Sequence, residues 1–259
     1  MDEQKRAQFK KVLREIKNLP DHILASKLLK LVNSAFYGFP QRISSLNSAI
    51  ILLGFNVIKS LIISASIFEV MESQDVELWE HSLGCAVVCN VLARHLGVKD
   101  PEEISTAGLI HDIGKVAIKM ELPKEYEMIT ELSLEKKISR LEAEREVLGL
   151  DHAEVGSWLA KSWNLPNKLV EPIACHHDPH LAKAEQQASA IVHFANIMIR
   201  GLGYGHAGDI WVPPLNNKAW KLLGLAPADI DPLLREIEEK LWDVKGFSLD
   251  IQTGQEGAA

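Results

Sequence analysis

The sequence has few of the features that mark secreted or broadly nucleic-acid-binding proteins. It contains three cysteines, too few for a disulfide framework and typical of a reducing compartment. Its formal net charge of −7 argues against a chain-wide basic field that would attract nucleic acid or an anionic membrane. The first residues are charged and do not form the apolar segment of a signal peptide. We therefore expect a cytoplasmic protein with no membrane partner, and the composition disfavours nucleic acid as a partner.

A long uninterrupted apolar run is also missing. The most apolar stretch, 49–70, contains Gly54, Asn56 and Lys59, whereas a membrane-spanning helix needs about 20 mostly apolar residues. We interpret this stretch as buried helix in a globular core. The sequence has no extended β-type alternation, no fixed-period repeat, no glycine-rich phosphate loop, no nucleophile elbow and no Cys-x-x-Cys pair. These absences favour an all-α fold.

Helical patterns run through most of the 259 residues, of which 47% are hydrophobic and 24% charged. That length is sufficient for a sizeable core. We divide the chain into an N-terminal helical part (1–74), a histidine-bearing helical core (75–203) and a C-terminal helical extension with a loose tail (204–259). Residues 22–35 are predicted to form an early amphipathic helix.

Several helix boundaries are marked by capping residues. A helix is predicted to begin at Pro101, after Asp100, and to continue through His111 to about Lys115. Capping boxes are predicted at Ser139 with Glu142 and at Asp151 with Glu154.

The end of the chain gives two weaker signals. The last helix is predicted to begin at Asp231-Pro232 and to reach about Val244. The segment from Gly246 to Ala259 is polar and contains glycines, so we predict a loose tail.

Histidines at helix ends are the main chemical feature. His111 and Asp112 are adjacent, and imidazole with carboxylate suits zinc, iron, manganese or nickel. Lys115 follows Asp112 by three residues and could pair with an anionic ligand. A helical bundle could bring these residues together with His81, His152 and the pair His176-His177. Each of these histidines taken alone is more simply a hydrogen-bonded core or surface residue.

The other histidines are assigned no ligand role; they are His22, His95, His180, His193 and His206. A further pattern places His81, Cys85 and Cys89 four residues apart, on one helical face. This spacing permits a soft-metal site. Small buried core residues are the interpretation that we favour for the two cysteines.

The order of these histidine segments resembles the HD superfamily of metal-dependent phosphohydrolases, and within it the HD-GYP branch. The matching segments are GLIHDIGK, HAEVGSWLAKSWNLP and ACHHDP. The flanking segments LLKLVNSAFYGFPQRISSLNSAIILLGFNVIKSLII, EHSLGCAVVCNVLARHLG and AIVHFANIMIRGLGYG are similar to HDOD domains, a related bacterial signalling module. The resemblance covers roughly residues 20–205. It implies an HD-like helical bundle with an additional N-terminal helical subdomain.

The resemblance also implies a ligand set for one or two divalent transition-metal ions (Fe, Mn, Zn or Ni); the set is His81, His111, Asp112, His152, His176, His177 and Asn196. Most HDOD domains have lost these ligands. Asn196 stands where HD enzymes have an aspartate, and its neutral amide oxygen would hold an ion less tightly. The sequence after His177 is HHDPHLAK and not Gly-Tyr-Pro, which argues against cyclic-di-GMP hydrolysis.

Two functions follow from this resemblance. The first is a regulatory module that binds a signalling protein or a small phosphorylated or nucleotide ligand. The second is a metal-dependent phosphohydrolase, in which Asp112 and Lys115 would be the catalytic residues.

Overall fold

The computed structural model describes residues 76–253 continuously, and before them residues 32–33, 43, 45–54, 57–58 and 61. For the helical residues 46–47 and 243–253 only the backbone is described. The predicted helix over 22–35, His22 and most of the predicted N-terminal part therefore lie outside the described residues.

The described residues form α-helices and one short 3₁₀ turn, without a strand, which confirms the all-α prediction. The helices are α1 (Leu46–Leu53), α2 (Val76–His95), α3 (Pro101–Ile110), α4 (Ile113–Glu121), α5 (Pro123–Lys136), α6 (Arg140–Leu148), α7 (His152–Ser162), α8 (Asn167–Cys175), α9 (Gln186–Leu202), α10 (Asn217–Leu223) and α11 (Pro227–Thr253). The 3₁₀ turn is Pro179–Leu181. None of the described helices combines the length and the apolar composition that a bilayer crossing requires.

Helix α2 lies at the centre of the bundle. It is buried from Leu78 to Ala93 except for Glu80, and it packs against α3, α9 and α11. A helix that is covered on all sides has no single apolar stripe, so its buried polar residues are available for a site. His81 and Cys85 are two of these residues.

The predicted capping boxes are present. Ser139 and Glu142 cap α6, and Asp151 and Glu154 cap α7, in each case with both reciprocal hydrogen bonds. Asp100 precedes α3 as predicted, but it adopts a left-handed conformation and its side chain makes no capping hydrogen bond.

The prediction of one helix from Pro101 to about Lys115 is wrong. Helix α3 ends at Ile110, α4 begins at Ile113, and Asp112 has φ −95° and ψ 11°. On a continuous helix, adjacent side chains diverge by about 100°. The break between α3 and α4 removes that constraint and lets His111 and Asp112 face the same volume.

Two predictions for the C-terminal extension are also wrong. Helix α11 begins at Pro227, not at Asp231, because Pro227 fits the first turn and Asp229 accepts a hydrogen bond from the Ala226 amide. The helix continues to Thr253, so residues 246–253 are helical where the sequence predicts a loose tail. A glycine inside a helix costs about 1 kcal/mol, which does not by itself end the helix.

Candidate metal centre

Six of the predicted ligands lie together inside the bundle. We call them the histidine cluster: His81, His111, Asp112, His152, His176 and His177. All except His177 are at most 2% exposed, and His177 is half-buried. The residues come from α2, from the break between α3 and α4, from the first residue of α7 and from the turn after α8.

Close packing of α4 against α7 brings Asp112 and His152 together. A Cβ atom on Gly114 would lie 1.9 Å from the carbonyl oxygen of His152, so only glycine permits this approach. The capping box of Asp151 and Glu154 fixes the start of α7, where His152 is the first helical residue.

Three imidazoles have their Nδ1 atoms held by acceptors. Nδ1 of His111 donates to the carbonyl oxygen of Gly108 at 2.8 Å, and Nδ1 of His176 donates to that of Ile173 at 2.8 Å. Nδ1 of His152 donates to a carboxylate oxygen of Glu144 at 2.6 Å. These acceptors hold a proton on Nδ1, so each ring in its neutral form presents a lone pair at Nε2.

These Nε2 atoms surround the carboxylate of Asp112. Its Oδ2 lies 3.3 Å from Nε2 of His111 and 3.6 Å from Nε2 of His81. Its Oδ1 lies 3.3 Å from Nε2 of His152 and 3.8 Å from Nε2 of His176. Each oxygen of Asp112 therefore faces a different pair of imidazoles.

The remaining close contacts join the histidines of α7 and α8. Nε2 of His152 lies 2.8 Å from Nε2 of His177 and 3.3 Å from Nε2 of His176. Donor atoms fall into three groups whose members lie within 4.8 Å of one another: His81 with Cys85 and His111, His152 with His176 and His177, and His111 with Asp112 and His176.

Burial and neighbouring charges shift the pKa values of the cluster in different directions. Burial lowers the pKa values of His81, His176 and His177 well below the usual value, so these rings are neutral at neutral pH. Burial lowers the pKa of His152, but the Glu144 carboxylate outweighs this effect and raises it. Burial opposes ionisation of Asp112, but His111 and Lys115 hold its pKa well below the usual value.

Buried atoms without hydrogen-bond partners test whether the cluster fits a metal ion. Nε2 of His111 and Oδ1 of Asp112 face the cluster, are buried and have no such partner among the described residues. Unpaired buried polar atoms are costly. Imidazole nitrogens that converge with a carboxylate in a buried volume are the donor set of a transition-metal site.

Lys115 lies beside Asp112 but is not open to solvent. Its Nζ donates to Oδ2 of Asp112 at 2.6 Å and to the carbonyl oxygen of Ala207 at 2.9 Å, and the residue is 2% exposed. Lys115 thus links Asp112 to residues 204–211, which we call the covering loop.

The covering loop is attached to the helices around the cluster at several points. The amide of His206 donates to the carbonyl oxygen of Glu77 at 2.9 Å. A Cβ atom on Gly205 would lie 2.2 Å from the amide nitrogen of His81. Asp209 accepts from the backbone amide of Arg140 at 2.7 Å and pairs with the guanidinium of Arg200.

Glu144 and Arg140 are site residues that the sequence analysis missed. Glu144 is fully buried and accepts from both the amide and Nδ1 of His152, at 2.8 and 2.6 Å. Arg140 pairs with Glu144 at 3.1 Å and donates to the carbonyl oxygen of Gly208 at 3.2 Å. Both lie on α6, a helix rich in charged residues, and the sequence gives no sign of which of its carboxylates is buried.

Asn196, the seventh predicted ligand, is buried on α9, and its Oδ1 has no hydrogen-bond partner among the described residues. His193, on the same helix, serves a structural role. Its Nδ1 donates to the carbonyl oxygen of His176 at 2.7 Å, and its Nε2 accepts from the amide of Asn216 at 3.2 Å.

Comparisons with known proteins match this chain to parts of longer relatives. The chain is 31% identical over 189 residues to an uncharacterised protein of Treponema pallidum (strain Nichols), a match that covers 70% of this chain and 36% of that protein. It is 32% identical over 104 residues to ribonuclease Y of Thermus thermophilus, a match that covers 40% of this chain and 13% of that enzyme. The chain thus spans about a third of the first relative and a smaller part of the second.

A solved structure and a family model also match this chain. An HDOD domain protein of Geobacter sulfurreducens superimposes with a TM-score of 0.68 at 26% identity, over 95% of this chain and 85% of that chain. The family model of the HDOD domain matches residues 1–179. The chain therefore belongs to the HDOD domain family.

Proposed function

We propose that the histidine cluster binds one or two divalent transition-metal ions and that the chain acts as a regulatory HDOD module. One observation carries the proposal. Nε2 atoms of His111, His152 and His176 face Asp112 while their Nδ1 atoms donate to carbonyl or carboxylate oxygens. This arrangement of outer acceptors is how proteins orient histidine ligands toward a metal.

Burial of the cluster supports a regulatory role over turnover. An ion held by residues that are at most 2% exposed stabilises the folded state, because the unfolded chain does not preserve the site. The covering loop lies between α9 and α10, so metal binding would fix both the bundle and the C-terminal extension. A signalling protein partner could sense that change.

A metal-dependent phosphohydrolase is the alternative, and two observations favour it. Lys115 places a cationic side chain beside Asp112, where it could bind a small phosphorylated or nucleotide ligand. The relative in Thermus thermophilus is named a ribonuclease. A bound metal would supply Lewis acidity and an activated water. The covering loop would have to move before a phosphate group could reach the cluster.

Hydrolysis of bis(p-nitrophenyl) phosphate in manganese-containing buffer separates these functions. The regulatory proposal predicts no p-nitrophenol release above that of Asp112→Asn, together with a melting temperature that rises when metal is added. Metal-dependent release that Asp112→Asn abolishes would support the phosphohydrolase. A protein that neither binds metal nor gains stability from it contradicts both.

A further inference from the structure

Cys85 lies next to His81 on α2, and its sulfur faces the histidine cluster. Sγ of Cys85 is 3.5 Å from Nε2 of His81, one helical turn away. The donor atoms of His81, Cys85 and His111 lie within 4.8 Å of one another. Oδ2 of Asp112 is 3.6 Å from Nε2 of His81 and 3.3 Å from Nε2 of His111. Both histidines of this group thus also lie near the carboxylate of Asp112.

Three separations match those between neighbouring ligands of one zinc ion. With Zn–N and Zn–O bonds of about 2.0–2.1 Å and Zn–S bonds of about 2.3 Å, neighbouring nitrogen and sulfur ligands lie about 3.5 Å apart and nitrogen and oxygen ligands about 3.4 Å apart. The distances from His81 to Cys85 and from Asp112 to both histidines, 3.5, 3.6 and 3.3 Å, agree with these values.

Unpaired buried atoms provide an independent indication of a ligand. Nε2 of His111 is buried without a hydrogen-bond partner among the described residues, although its ring is held in place through Nδ1. His81, Cys85 and His111 are each fully buried. In such a dry volume, imidazoles bring no negative charge toward a divalent cation and the Asp112 carboxylate is already paired with Lys115, so a thiolate would supply negative charge.

Cys89, one turn further along α2, has a different environment. Its Sγ lies 2.6 Å from the position that a Cβ atom on Gly108 would take, so it fills the contact between α2 and α3. Within the described part of the chain, Cys89 is not a member of any of the donor groups. The two cysteines are equally buried and lie on the same helix, which makes Cys89 a matched control for Cys85.

We propose that Cys85 is a metal ligand that joins His81 and His111 in a site that selects zinc or another thiophilic divalent ion. This proposal rests on the proposed metal binding of the histidine cluster. His152, His176 and His177 then form a second group, which is the more accessible one because His177 is half-buried. Binding of the ion releases the thiol proton of Cys85 to solvent.

Cobalt(II) is the probe, because a cobalt–thiolate bond gives a sulfur-to-metal charge-transfer band in the near ultraviolet and a cobalt–imidazole bond does not. The full chain is loaded with cobalt after chelator treatment. We expect the band in the unmodified protein and in Cys89→Ala. We expect its loss, with fewer bound zinc ions per chain, in Cys85→Ala that retains the helical circular dichroism spectrum.

The unmodified protein and the two cysteine variants distinguish the possible failures. Bound cobalt without a charge-transfer band overturns the role of Cys85 and leaves the proposed metal binding intact. A band that disappears in Cys89→Ala but persists in Cys85→Ala also overturns it. A chain that takes up neither cobalt nor zinc overturns the proposed function and this inference together.

Discussion

Asp112 connects the two halves of the histidine cluster, and at the residue scale its partner Lys115 has a definable role. The buried Lys115–Asp112 pair compensates the charge of a carboxylate that is 2% exposed. Lys115 also donates to the covering loop. The structure therefore gives Lys115 a structural function whether or not it also contacts an anionic ligand.

We expect Lys115→Met to be destabilising, and more so without metal. Removing one partner of a buried pair costs about 3–5 kcal/mol, because the other charge remains unpaired. A bound cation would offset part of this cost by neutralising Asp112. Urea unfolding in chelator and in zinc-containing buffer measures the difference. Lys119→Met, one turn further along α4, is the control; equal losses in the two buffers would contradict metal binding at Asp112.

Glu144 orients His152, and its effect should be on metal affinity. The Glu144→Gln change removes the negative charge that fixes the proton on Nδ1 of His152. Loss of such an outer partner weakens metal binding by about 10–100-fold. Competition with a chromophoric chelator measures the dissociation constant. Glu142→Gln, an exposed capping residue on the same helix, should bind metal normally; an equal loss there would rule out a specific role of Glu144.

Asn196 remains a predicted ligand. Its buried Oδ1, which has no partner among the described residues, is compatible with an atom that binds a cation. If Asn196 faces the metal, Asn196→Asp should increase the metal content at limiting zinc, because a carboxylate binds a divalent ion more strongly than an amide. Asn90→Asp is the comparison, since Asn90 is equally buried but its Oδ1 accepts from Arg94. Unchanged metal content in Asn196→Asp would exclude Asn196 from the site.

Among the structural elements, the covering loop depends on close backbone contacts. Gly203 and Gly205 have the same φ of +66°, but only Gly205 has neighbours where a Cβ atom would be placed, at 2.2 Å from the amide nitrogen of His81. Both positions favour glycine for conformational reasons. Alanine variants at the two positions therefore distinguish the effect of backbone strain from that of steric contact with α2.

Gly205→Ala should detach the covering loop, whereas Gly203→Ala should only add strain of about 1–2 kcal/mol. The amide of His206 donates to the carbonyl oxygen of Glu77, so its hydrogen exchange shows whether the loop is attached to α2. Hydrogen exchange of residues 204–211 should accelerate strongly in Gly205→Ala alone. If both variants exchange at the same rate, the contact with His81 does not hold the loop.

Local sequence features predicted the elements well where a cap and a periodic pattern agree. The capping boxes at Ser139 and Asp151 are examples. The break at His111–Asp112 was not predictable, because GLIHDIGK contains no proline and its glycines do not mark the break. Contacts between distant segments decide such features; Lys115 and Ala207 are 92 residues apart in sequence.

At the scale of the whole molecule, the family pattern predicted more of the site than residue chemistry did. Spacing alone left each histidine with a structural interpretation, and the order of the motifs selected six residues that do lie together. The family pattern did not indicate the roles of Glu144 and the covering loop. The division at residues 74 and 203 stays a prediction.

Elemental analysis of the purified full chain tests metal binding, the central claim, most directly. After incubation with zinc or manganese and removal of unbound ions, the unmodified protein should retain one or two ions per chain, as its donor groups permit. Asp112→Asn should lose most of this metal, and His180→Ala should retain it. A correctly folded, unmodified chain without bound metal, or an Asp112→Asn variant with the full metal content, would contradict the account.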